Sequence, residues 1–225
     1  MPLLRRPLRR LFCIALLGLA AGASSSFAAE PQPGSQYLAL PSPQPTDTGG
    51  GKRVEVIEFF AYYCPHCYAF EPKLESWVRQ QGDNIVFKRV HVSAGARVLP
   101  QQRLFFTLEA MGLLEQYHQK VFDAMHVRHL RLASDEEVFD WVARNGIDRA
   151  TFLETWRSFG MPARLRRADA MMDSYAVDRW PMVVIDGRWV TSPSHAMADG
   201  PEAQRQQAAL QVMDSLVAKA KAEKK

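Results

Sequence analysis

Cys64-Pro65-His66-Cys67 sets two thiols three residues apart, directly after the apolar run Val54 to Phe60 and a two-residue aromatic bend. With Cys64 as the N-cap of a following helix, Pro65 falls at the first helical position, where its missing N–H costs nothing. Cys67 then lies one turn on, on the same face, with Cβ atoms about 5–6 Å apart. A modest shift brings such a pair into disulfide range, so it can open and close with little backbone change. Cys64 faces the unpaired N–H groups and positive dipole end of its own helix, which favour a thiolate. His66, between the cysteines, can add a positive charge or a hydrogen bond to the sulfur. Together these features predict a Cys64 thiol that titrates well below neutral pH. Each pKa unit removed stabilises the reduced form by about 1.4 kcal/mol when the pH lies above both values. For a two-electron couple that is roughly 30 mV of oxidising power.

Other residues could join this site. Glu58 is an acid inside an apolar strand, six residues before Cys64. Burial would raise its pKa and let it exchange a proton with Cys67; the alternative is an edge-facing or salt-bridged carboxylate. Trp180-Pro181 opens a late strand, and proline cannot donate to a central ladder. A cis peptide there, facing the cysteines, would offer free backbone groups to an incoming polypeptide, although most X–Pro bonds are trans. His91 is either a site neighbour or a satisfied core histidine. His126 and His129 have the spacing of half a metal site, but no carboxylates or cysteines stand beside them, and no metal is expected.

Positioning these residues needs a scaffold. Lys52 to Ala61 reads as a strand buried on both faces. A helix from Pro65 to about Gln81 follows, with a kink expected at Pro72, and then a second strand from Ile85 to Val92. Ser93 to Val177 is mostly helical, with apolar spacing over Leu99–Met111 and Leu113–Met125. A capping box at Ser134 opens a helix that Asn145-Gly146 closes; Asp148 caps another, ending near Phe159-Gly160; a third runs from Pro162 to about Tyr175. A hairpin turning at Asp186-Gly187 and a final helix from Glu202 to about Lys221 complete the chain. The expected organisation is a strand–helix domain over 53–92 and 178–225, with residues 93–177 as a helical insertion. Residues 29–52, rich in Pro and Gly, read as a mobile arm with at most a short edge strand at Gln36 to Leu40.

The first residues read as a secretory signal peptide over 1–28. Four arginines precede the apolar run Leu11 to Ala23, too short to span a membrane comfortably, and Ser26-Phe27-Ala28 suits cleavage. Arg9-Arg10 partly resembles a twin-arginine signal, but the general secretory route fits better. With the leader removed, the 28 basic residues fall to 24 and match the 24 acidic ones, which argues against a nucleic-acid partner. Cys13 leaves with the leader, so Cys64 and Cys67 would be the only thiols of an exported protein. A bridge closing so short a loop restrains little of the unfolded chain, and catalysis is the better use of the pair.

Phe59-Phe60-x-x-x-Cys64-Pro65-His66-Cys67-Tyr68-x-Phe70-Glu71, the leader, the helical insertion and Trp180-Pro181 together resemble the DsbA family of periplasmic thiol–disulfide oxidoreductases. The resemblance implies an α/β, thioredoxin-like fold with an inserted helical subdomain. It also implies Cys64 as exposed nucleophile, Cys67 as buried partner, Pro181 as cis-proline, Glu58 as buried acid, and Arg89 where a lysine often pairs with that acid. Trp180 departs from the small or β-branched residue usual before the cis-proline. The implied activity is donation of the Cys64–Cys67 disulfide to newly exported proteins, with no cofactor. A DsbB-type quinone-linked membrane oxidase would restore the bridge, and a monomer is expected. A disulfide isomerase or reductase is the nearest rival; a copper-binding protein using Cys64, His66 and Cys67, or a non-catalytic chaperone, are more distant ones.

Overall fold

The computed structural model describes residues 30–49 and 51–224. The leader expected over 1–28, with Cys13, lies outside the described residues. β2 (Val54–Phe60) is buried at all seven positions. It pairs in parallel with β3 (Ile85–His91) and antiparallel with β4 (Met182–Ile185). A strand with neighbours on both edges and helices on both faces must be apolar throughout, which is why its sequence barely alternates. β5 (Trp189–Thr191) and a two-residue β1 (Leu38–Ala39) complete the sheet in the order β1-β5-β4-β2-β3.

Each face of the sheet has its own core. On one, Val54, Val56, Val183 and Ile185 pack with Leu74 and Trp77 of α1 (Pro65–Gln81) and with Met213 and Leu216 of α8 (Glu202–Glu223). On the other, Ile57 and Phe59 meet a helical layer rich in aromatic residues, including Phe105, Phe122, Trp141 and Trp156. Five helices lie between β3 and β4: α2 (Leu99–Ala110), α3 (Leu114–His126), α4 (Asp135–Arg144), α5 (Arg149–Trp156) and α6 (Met161–Ser174). The expected caps are in place, since Ser134 Oγ accepts from Glu137 N–H and Asp148 from Thr151 N–H. Two details differ from expectation. α5 stops at Trp156, leaving Phe159 fully exposed in the link to α6, and a short α7 (Pro193–Ala196), capped by Ser192, follows β5.

The segment expected as a mobile arm is laid against the sheet. Leu40 N–H donates to Arg188 O and Gln44 N–H to Gly187 O, both at 2.8 Å, while Thr191 Oγ1 donates to Gln36 O at 2.8 Å. Pro and Gly composition suggested freedom, but the hairpin edge supplies the partners that this backbone lacks locally. The hairpin turn itself needs positive φ at Asp186 (53°) and Gly187 (63°). A Cβ on Gly187 would lie 2.2 Å from Gln44 O, so only glycine admits the arm this closely.

Candidate active site

α1 begins at the cysteines for the reason the spacing suggests. Cys64 is the N-cap, in extended conformation (φ −79°, ψ 117°), and its sulfur accepts from Cys67 N–H at 3.3 Å. The helix then continues through Pro72 to Gln81. Cys67, Phe70, Glu71 and Leu74, spaced three and four apart, form its buried stripe. Both cysteines are free thiols. Both are buried: Cys64, expected as the exposed thiol, retains only 5% exposure because the start of β4 lies against it, and Cys67 retains none.

The two sulfurs are electrostatically unequal. The thiol of Cys67, hydrogen-bonded to Cys64, leads in lowering the Cys64 pKa, helped by the N–H groups of Cys67 and His66; burial opposes them, and the value settles at about 7. Burial pushes Cys67 the other way, well above the ordinary thiol value, reinforced by Cys64 and the nearby Glu58. The direction for Cys64 is the one expected, but the value stops near neutral and does not fall well below it. One cause is His66. Its ring turns outward, where Nδ1 meets Glu202 Oε1 at 2.8 Å, so its charge is the smallest contribution at the sulfur.

The Trp180–Pro181 peptide is cis. The Cys64 thiol donates to Trp180 O at 3.7 Å, which brings the start of β4 against the cysteines. The Trp180 indole stands edge-on to Tyr63, ring centroids 6.4 Å apart. The structure thus brings together Cys64, Pro65, Cys67, Trp180 and the adjoining Pro181, with His66 facing outward.

Beneath the pair lies a buried charge cluster. Glu58 shares its face of β2 with Val56 and Phe60 and is fully buried. Arg89, its register partner on β3, donates from Nε to Glu58 Oε2 at 3.1 Å and also pairs with Glu71 of α1. One guanidinium cannot serve two buried carboxylates equally. Burial, reinforced by the Glu71 charge, raises Glu58 to about 8, against the pull of Arg89. Burial also pushes Glu71 up, but His118 and Arg89 more than offset it and the net direction is down. At neutral pH Glu71 therefore carries the charge and Glu58 is mainly a protonated acid, electrostatically coupled to both cysteines.

Residues that the spacing did not single out fix the bend. Tyr62 is held at all three polar groups. Its N–H donates to His91 Nε2 at 3.1 Å, its carbonyl accepts from His126 Nε2 at 2.7 Å, and its hydroxyl meets His118 Nδ1 at 2.9 Å. His118 Nε2 in turn lies 3.5 Å from Glu71 Oε1. His91 is the core histidine of the two readings, since burial drives its pKa to about 3 and its Nδ1 pairs with Val92 O at 2.9 Å. His126 commits its Nε2 to the Tyr62 carbonyl and stacks on Tyr68 with centroids 4.7 Å apart. Glu71 had a legible signal, an acid four residues after Cys67 on the same helical face. His118 had none, because its partners come from distant parts of the chain.

A family model described as a DSBA-like thioredoxin domain matches residues 85–211, and a thioredoxin model matches residues 50–103. The chain is 39% identical over 179 residues to the thiol:disulfide interchange protein DsbA of Burkholderia cepacia, covering 80% of this chain and 84% of that protein. It is 35% identical over 204 residues to the protein of the same name from Bordetella bronchiseptica, covering 91% and 93%. Among solved structures it resembles Pseudomonas aeruginosa DsbA, with a TM-score of 0.77 and 33% identity over 85% of this chain and 95% of that one. These matches span both the sheet and the helical layer, and they bear out the thioredoxin-like fold.

Proposed function

Because the chain belongs to the DsbA family of thiol:disulfide interchange proteins, we propose that its Cys64–Cys67 disulfide is donated to newly exported proteins during oxidative folding. A client thiolate attacks Cys64 Sγ. The Cys64–Cys67 bond breaks, a client–Cys64 mixed disulfide forms, and Cys67 leaves with the electron pair. A second client thiolate then attacks the client sulfur of the mixed disulfide and expels Cys64. Two electrons pass from two client thiols to the pair, and the client gains the disulfide. The observation that carries this reading is the inequality of the two thiols. Cys64, which retains some exposure, is the better leaving group in the second step, while buried Cys67 strongly favours a proton.

Glu58 is suited to supply that proton, being a neutral carboxyl near pH 7 and coupled to Cys67. It recovers the proton when the pair is reoxidised. Trp180 and Pro181 are read as the docking edge for the client, with backbone groups beside Cys64 and the indole forming a wall. His66 and Pro65 shape the helix start. Reoxidation is assigned to a DsbB-like membrane quinone oxidoreductase, and the protein is read as a periplasmic monomer exported by its leader. Oxidase chemistry is favoured over a copper site because His66 turns toward Glu202 and does not converge with the two sulfurs.

Mixing the oxidised protein with an equimolar amount of reduced, unfolded RNase tests this. RNase thiols are expected to disappear as the Cys64–Cys67 pair becomes reduced, and Cys64→Ser or Cys67→Ser is expected to abolish the transfer. Reactivation of scrambled RNase by the reduced protein, with no such transfer from the oxidised form, would favour an isomerase.

A further inference from the structure

A recess of about 430 Å³ opens on the helical layer beside Tyr63, within the size range of binding clefts. Tyr63, Val98 and Gln101 line it together with Arg97, His129 and Arg131. Among the described residues no carboxylate lines it. Its cations are weakly committed. Arg97 has no ion pair among the described residues, and Arg131 reaches Glu137 only at 3.4 Å while 82% exposed. An ion pair so open to water contributes little. Gln101 is 4% exposed; its Nε2 donates to Arg131 O at 2.9 Å, and its buried Oε1 has no hydrogen-bond partner. The recess therefore offers cations for a carboxylate, the group that an acidic side chain presents.

Location gives these features a use. Tyr63, which lines the recess, directly precedes Cys64, the cysteine that would hold a client. An extended chain advances about 3.3 Å per residue, so the first three positions beside the client cysteine span about 3–10 Å from it. We propose that this recess receives an acidic side chain flanking the reactive cysteine of the client, and so biases the protein toward clients with Asp or Glu beside that cysteine. The proposal rests on Cys64 being the exchanging sulfur.

Three dithiol peptides differing only in a Glu, Gln or Lys beside one cysteine test it, each mixed with the oxidised protein under single-turnover conditions. The Glu peptide is expected to be oxidised about two- to fivefold faster than the Gln peptide, the size of an exposed ion pair, and the Lys peptide slowest. The Glu-to-Gln ratio should fall toward one in 1 M salt, where screening acts within about 3 Å. It should also fall to one in Arg97→Gln/Arg131→Gln, survive in Arg97→Lys/Arg131→Lys, and favour the Lys peptide in Arg97→Glu/Arg131→Glu. Equal rates for the three peptides with the unmodified protein, or a preference that persists in the glutamine double variant, would overturn the proposal while leaving the oxidase reading intact. Failure to oxidise any of the peptides would overturn the oxidase reading, and this proposal with it.

Discussion

Two buried carboxylates, Glu58 and Glu71, share one guanidinium beneath the cysteines, and their unequal environments divide the roles. Glu71 keeps the charge because His118 and Arg89 both face it; Glu58 holds a proton because burial and the Glu71 charge outweigh its one contact with Arg89. This has a consequence for stability. The pKa of Glu58 rises from 4.5 to about 8 in the fold, so between these values the native protein binds a proton that the unfolded chain releases. The contribution is complete below about pH 4.5 and is lost as the pH rises through about 8. Glu58→Gln is therefore expected to flatten the fall in melting temperature of the reduced protein between pH 5 and pH 8, as thermal unfolding across that range would reveal. An unchanged pH profile would contradict a protonated Glu58.

At the scale of elements, the join between β2 and α1 is where sequence and structure agree best. Cys64 caps, Pro65 starts the helix, and the stripe Cys67, Phe70, Glu71 and Leu74 turns inward, all from local rules that three or four residues can state. The apolar run of β2 and the capping residues Ser134 and Asp148 were legible in the same way. What local rules do not reach is contact between distant segments. His118 lies 56 residues from Tyr62, and Glu202 lies 136 residues from His66, so neither pairing leaves a trace in spacing. The arm's attachment is of the same kind, because its partners lie on the hairpin near Gly187; only its short edge strand, β1, was legible. Gly187→Ala tests that attachment, since it adds a Cβ where Gln44 O stands and where φ is positive. It is expected to destabilise the protein by about 1–3 kcal/mol in denaturant titration and to speed proteolysis within residues 30–49. An unaltered digestion pattern would count against the arm's packing.

On the scale of the whole molecule, the sheet and the helical layer meet at the cysteines. β2 delivers Cys64 and Cys67, β4 brings Trp180 and Pro181 against them, and the helical layer supplies His118 and His126 to hold the bend. The fold class and the identity of the reactive pair were legible because they rest on a specific motif. The depth of the Cys64 shift was not, because it balances burial against several hydrogen bonds and a histidine that turns away. A pair with thiols this unequal should give its bridge away. Equilibrating the Cys64–Cys67 pair against glutathione at pH 7 tests it most directly. A disulfide donor should show a reduction potential less negative than about −200 mV, so that the pair is readily reduced. A value at or below about −270 mV, as for thioredoxin, would contradict it.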